Sequence, residues 1–211
     1  MGEIVYSLNG KKFKDYGIYI SASDGLFDEL KQKKQETYSW AEYHGQVFDV
    51  TQKPKFEPRE ITLTGWIMAD DWEEMQSNFD SVFGEFRKAG KQRLLIEPFG
   101  ISTLVYDVNL KDGIDLKKTF KDGQMFGYFS LKMIEYNPVK KILTITGTSL
   151  SLAFKTPKWV EVNIDGAITT HKGTVSITRP LAAGKHYISI AGNIEEITGL
   201  TTNATVLWQR L

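Results

Sequence analysis

The chain has 211 residues, 41% of them hydrophobic, with 26 Lys and Arg against 26 Asp and Glu and no cysteine. That length and apolar content support a buried core. A formal charge of zero excludes the basic field that nucleic acid or an anionic membrane selects, and the missing thiols exclude disulfides, thiol nucleophiles and thiolate metal sites.

Residues 4–8 alternate as a strand does, and Asn9-Gly10 supplies the two-residue hairpin signal, with Lys11, Lys12 and Phe13 on the return. Residues 16–21 form a further short strand. From 22 to 37 the chain is polar; it holds Asp24-Gly25 and the basic run Lys31, Lys33 and Lys34, with Leu26, Phe27 and Leu30 as the candidate start of a short helix. Two strands are expected next, at 37–43 and 59–68, separated by Gly45 and a loop with Pro54 and Pro58. The second places Ile61, Leu63, Gly65 and Ile67 on one face and Glu60, Thr62, Thr64, Trp66 and Met68 on the other, the pattern of a half-buried strand.

One helix is predicted, from about residue 70 to 88, because Trp72, Met75, Phe79, Val82, Phe83 and Phe86 recur at spacings of three and four. Asp70 or Asp71 can cap it, Glu73 and Glu74 suit its positive end, and Arg87, Lys88 and then Gly90 suit its close. Strands at 93–97, 102–110 and 126–136 follow, with turns at Pro98-Phe99-Gly100 and Lys121-Asp122-Gly123.

Composition then changes. Residues 1–141 carry 42 charged side chains and residues 142–211 only 10, with a boundary at Asn137-Pro138-Val139-Lys140-Lys141 where the proline ends a strand. Short strands are expected at 143–146, 150–154, 159–164, 174–178, 186–191 and 205–209, separated by Asp165-Gly166, Lys172-Gly173, Ala183-Gly184 and Gly192-Asn193. The fold class is α+β and predominantly β. An N-terminal antiparallel β-sandwich or sheet domain (1–140) carries the one main helix, and a small C-terminal all-β domain (141–211) follows.

The chemistry-bearing residues give no catalytic constellation. His44, His171 and His186 lie far apart without metal-ligand spacing, and the carboxyl clusters Asp70-Asp71 with Glu73-Glu74, and Glu195-Glu196, read as helix capping and surface charge. No nucleophile elbow, phosphate-binding glycine loop or zinc-protease helix occurs, so the expectation is a non-enzyme with no cofactor and no metal. The N-terminus has Glu3 where a secretory signal needs bases, and no run approaches the ~20 apolar residues of a membrane span. Synthesis in the cytoplasm, with no membrane and no nucleic-acid partner, is expected.

Residues 59–67, Arg-Glu-Ile-Thr-Leu-Thr-Gly-Trp-Ile, run straight into the helix, and Glu135-Tyr136-Asn137-Pro138 closes the first domain. In that order and spacing, residues 1–140 resemble phage distal tail proteins, in which a strand of the form basic-x-apolar-x-apolar-x-Gly precedes a single helix. The resemblance implies a structural subunit of a phage or prophage tail or baseplate, a homo-oligomer forming a hexameric ring between the tail tube and the host-recognition apparatus. Other tail proteins would be its partners, and the virion tail its final location. Asn9, Gly10, Leu26 and Phe27 are the candidate oligomer contacts. The larger C-terminal domain of longer family members has no counterpart in the roughly 70 residues here. The alternative is a carbohydrate- or receptor-binding module acting through the C-terminal domain, with Trp159, Tyr187 and Trp208 stacking on a surface glycan.

Overall fold

Antiparallel strands joined by tight turns make up most of the chain, and three of those turns explain how the strands are registered. Asn9-Gly10, Asp122-Gly123 and Asp165-Gly166 all have positive φ at both residues (50° and 83°, 54° and 80°, 49° and 91°). Each joins two strands by a two-residue loop of the mirror-image type whose twist matches the strands it connects.

The computed structural model describes residues 3–42, 44–48, 51–99, 103–192, 194, 196–200 and 204–209. Its elements begin with β1 (Ile4–Leu8), β2 (Lys11–Lys12), a 3-10 turn (Phe13–Tyr16), β3 (Ile18–Asp24), β4 (Thr37–Tyr38), β5 (Val47–Phe48) and β6 (Arg59–Ala69). Then come α1 (Trp72–Phe83), a 3-10 turn (Gly84–Arg87), β7 (Gln92–Pro98), β8 (Leu104–Leu110), β9 (Asp115–Lys121) and β10 (Gln124–Glu135). The last four strands are β11 (Lys140–Ile164), β12 (Ala167–Ala191), β13 (Glu196–Leu200) and β14 (Ala204–Gln209).

A first sheet has the order β2-β1-β7-β8-β10-β6-β3, with β9 also on β10. Strand β10 pairs with β6 along its length, from Met125↔Ala69 to Glu135↔Arg59, and meets β8 only at Met133 and Ile134. The sheet therefore has two halves, which share one core. Leu8, Leu94, Ile96 and Tyr106 of one half meet Ile61, Leu63, Phe129 and Leu131 of the other, with Met75, Val82 and Phe83 of α1 in the same cluster.

Helix α1 begins where the sequence places it. Asp71 is the N-cap, its carboxylate accepting from the Glu74 backbone N–H at 2.8 Å, while Glu74 reaches back to the Asp70 N–H at 2.9 Å. The first bond satisfies one of the donors a helix start leaves open, and the second ties the residue before the cap to the first turn. The α-helix is shorter than the 70–88 expectation because its last turn tightens into the 3-10 segment after Phe83, and Gly90, at φ 86°, comes after the helix has already ended.

The second sheet is built on β11 and β12, each 25 residues long and paired from Ile164↔Ala167 outward to Lys140↔Ala191. Residues 161–164 also pair with 188–191, so the hairpin bends back and closes on itself, with β13 and β14 added along β11. A separate core of Leu143, Ile145, Leu152, Phe154, Val162, Ile188 and Ile190 fills it. Five of the short strands expected here are thus segments of two continuous ones, while the one expected at 205–209 is β14, a strand of its own. Gly184 faces Gly147, and Gly173 faces Thr156, so the two glycines at which chain reversals were expected, Gly173 and Gly184, lie instead within the ladder beside its register shifts.

Other elements differ from expectation as well. Of the strand expected at 37–43 two residues are extended, because the chain turns at Ala41 and Glu42; residue 43 lies outside the described residues. No helix forms at Leu26, Phe27 and Leu30; Leu26 and Leu30 are buried from a loop instead. Strand β9 was not anticipated, since its residues are mostly exposed and show no apolar alternation. Part of the expected Pro98-Phe99-Gly100 turn and of the start of the 102–110 strand lies outside the described residues.

Gly65 explains the glycine in the first-domain pattern. A Cβ there would sit 2.2 Å from the Tyr19 carbonyl oxygen and 3.0 Å from the Phe129 ring, so only hydrogen lets β3 lie this close over the core. Gly65→Ala is expected to destabilise the fold by about 1–3 kcal/mol, read by urea denaturation, because a backbone carbonyl must move to admit the methyl.

Candidate functional site

Between the two sheets lies a cluster of buried charges. Strand β8 reads Leu-Val-Tyr-Asp-Val-Asn-Leu, and its one acid, Asp107, is 6% exposed. Strand β7 brings Arg93 beside it, with Nε 3.0 Å from Asp107 Oδ1. The second sheet supplies the remaining partners. Asn163 Nδ2 donates to Oδ1 at 3.0 Å, Ser189 donates its hydroxyl to Oδ2, and Lys140 Nζ lies 3.5 Å from Oδ2. Arg93 uses its other donors on the Tyr187 carbonyl and, at 2.9 Å, on Ser189 Oγ.

A second carboxylate extends the cluster. Glu135, at the end of β10, accepts from Lys140 Nζ and lies 3.8 Å from Arg59 Nε, while Arg59 Nη1 donates to the Leu26 carbonyl at 2.8 Å. Lys91 and Glu161, 2.5 Å apart, form a further ion pair between the sheets. Around these groups Tyr187 packs against Val105 and Leu95 of the first sheet, beside Ile142 of its own, and its hydroxyl donates to Thr103 Oγ1 at 2.9 Å.

The electrostatics of Asp107 follow from this environment. Burial pushes its carboxyl up, but the charges of Lys140 and Arg93 and the hydrogen bonds from Ser189 and Arg93 outweigh it and hold the group at about 2. Near the first hairpin, Glu85 is likewise held at about 2, by hydrogen bonds from Lys11 and Lys88 against the opposing effect of burial, with Asn9 helping.

The sequence-predicted contacts are distributed unevenly. Asn9 turns its side chain inward, donating to Glu85 and Gln92 and accepting from the Arg93 N–H at 2.8 Å, while Gly10 is exposed at the hairpin tip. Leu26 is a correction: its side chain is in the first core and its carbonyl accepts from Arg59 and Tyr106, so it presents nothing outward. Phe27, next to it, is 69% exposed. Tyr187 is also a correction, since at 6% exposure and bonded to Thr103 it has no free face for a sugar. Trp159 is 68% exposed. Trp208 lies on β14, and its side chain falls outside the described residues, as does Glu195. Asn9, Gly10 and Tyr187 line one groove between the sheets, which Leu26, Phe27 and Trp159 do not line.

Sequence reasoning missed the buried cluster. The available signal was a single acid in an otherwise apolar strand, and Lys140, read as part of a boundary, is in fact buried at the start of β11. The histidines stay apart: His44 and His171 are not buried, and His186 pairs with Asp165. Among the described residues no group of three or more His, Asp or Glu side chains could hold a metal ion, and no helix is long and apolar enough to cross a membrane.

The outward face of the first sheet carries aromatics. Tyr19 stacks on Trp66 at 4.4 Å, and Phe126 lies 6.2 Å from Trp66. Tyr38 and Trp40, around the small β4–β5 ribbon, are exposed, Trp40 by 62%.

No family model and no curated protein matches the chain. Among solved structures it is similar to the Dit protein of SPP1, described as a paradigm of the hub adsorption apparatus in Gram-positive infecting phages. Identity is 9%, the match covers 90% of this chain and 98% of that one, and the TM-score is 0.49.

Asp107→Ala should cost about 3–5 kcal/mol, because Arg93 and Lys140 would stay buried without their shared carboxylate. The native pKa of Asp107 is depressed, so its contribution is complete above about pH 4 and disappears as the pH falls through about 2. Acid unfolding followed by fluorescence should show this loss in the native chain and a shallower acid slope in the variant.

Proposed function

We propose that the chain is a non-catalytic structural subunit of a phage-type tail or baseplate, with residues 1–140 as the assembling part and 141–211 as an accessory part. The observation that carries this reading is the order of the first part. A half-buried strand opening at Arg59 and containing Gly65 leads through the Asp70-Asp71 cap into a single helix, and a long strand ending at Glu135 leaves by Asn137-Pro138. This is the arrangement on which the likeness to distal tail proteins rests.

The exposed surface supports an assembling role. Strands β2 and β3 end the order of the first sheet and β9 is paired on one side, by β10, and unpaired edges are templates for pairing with another chain. Phe27, Tyr38, Trp40, Phe120 and Tyr128 are large apolar side chains left outside the core of the same part. A ring needs a head-to-tail contact whose rotation closes, with different patches meeting; the hexameric stoichiometry follows from the family resemblance. Light scattering on eluted protein across a concentration range, with negative-stain images, should show a closed oligomer. Phe27→Asp should weaken that oligomer at least tenfold without altering the monomer's fold, and a monomer at every concentration would count against ring formation by this chain alone.

A second reading rests on Trp159, whose exposed indole on the second sheet could stack on a sugar ring. Binding on a glycan array that is abolished by Trp159→Ala would favour it, and an array without binding would remove it.

A further inference from the structure

His186 is buried in β12 with both ring nitrogens occupied. Nδ1 is 2.5 Å from Asp165 Oδ2, and Nε2 is 2.7 Å from the Ala182 carbonyl oxygen. An ionised carboxylate and a backbone carbonyl both accept hydrogen bonds and have no hydrogen to give. A neutral imidazole carries one N–H and can serve only one of them, whereas the imidazolium serves both.

The two acceptors belong to different bends of the chain. Asp165 opens the two-residue turn between β11 and β12, and Ala182 lies in the bend of β12 before Gly184. The same stretches hold the contact between the sheets: Tyr187, beside His186, gives its carbonyl to Arg93, and Asn163 donates to Asp107 while accepting from the Gly166 N–H at 2.8 Å. Asp165, Gly166 and His186 line one wall of a groove of about 680 Å³ between the sheets, with Asn9, Lys11, Glu85 and Lys88 on the other.

We propose that His186 is a pH-operated clasp: protonated, it ties the Asp165-Gly166 turn to the bend at Ala182 and fixes this wall of the groove; deprotonated, it must release one acceptor and the turn loosens. Its charged neighbours set the balance. Burial disfavours the imidazolium, while the Ala182 carbonyl and the Asp165 carboxylate favour it and raise its pKa above the ordinary value, with Arg179 of β12 opposing. Across the groove Lys11 and Lys88 are paired with Glu85, and Lys91 with Glu161; Lys185 lies over the Tyr187 ring. Because the native pKa is raised, the clasp is fully effective below ~6.5, the unfolded value, and is lost as the pH rises through the native one.

The test uses the full chain. The His186 ring is titrated by NMR, with His186→Gln to assign its signal, and hydrogen exchange is followed at residues 163–167 and 182–187 from about pH 5.5 to about pH 9. After correction for intrinsic exchange, protection at these residues should fall by up to about tenfold per pH unit while opening is coupled to one proton. Asp165→Asn, with an unchanged circular dichroism spectrum, should lower the His186 midpoint and flatten the dependence. A native midpoint at or below ~6.5, or protection that does not change with pH in the native chain, would overturn the proposal. The native titration decides the matter even if a variant fails to fold.

Discussion

The carboxylate of Asp107 is the group on which the relation between the two sheets depends. It sits on the first sheet, but Asn163, Ser189 and Lys140 of the second make up most of its shell, and Arg93 divides its donors between the two. Buried ion pairs add little net stability over an apolar equivalent, because desolvation offsets most of the attraction. What they add is intolerance of displacement. A sliding apolar contact loses area gradually, whereas a charge moved by one or two ångströms loses its partner where no water can replace it.

That constraint separates the surfaces that are already used from those that are not. Tyr187 and Leu26, each with the outline of a contact residue, are spent inside the chain. Phe27, Trp40 and Trp159 are not, and they lie in different parts of the molecule: Phe27 and Trp40 in the segment between β3 and β6, Trp159 within β11. The two outward-facing sets correspond to the two functional readings, one of assembly and one of surface recognition.

Much of the fold was legible because it is encoded locally. Asn9-Gly10 and Asp165-Gly166 specify hairpins through their own backbone preferences, the stripe from Met75 to Phe83 specifies which side of α1 is buried, and alternation at Ile61, Leu63 and Ile67 does the same for β6. What was hidden depends on distant partners. Lys140 reads as part of a boundary until Asp107 and Glu135 are brought to it, Leu26 as the start of a helix until Arg59 and Tyr106 bind its carbonyl, and Ala183-Gly184 as a turn until Gly184 is seen to face Gly147. Of the candidate site residues, Phe27 and Trp159 are exposed while Leu26 and Tyr187 are buried, a difference that residue type does not carry.

The pairing registers carry a consequence for the order in which the chain can fold. The hairpin of β11 and β12 starts at Ile164↔Ala167 and grows by adding neighbours, so each new pair closes only a short additional loop. The first sheet has no such route for β1, which must find β7 through Ile4↔Pro98 and Leu8↔Leu94 after most of the intervening chain has been made. Local zipping is fast and long-range closure slow. The later-synthesised sheet is therefore the one able to form quickly, and in the earlier one the side of β1 away from β2 stays open until β7 arrives.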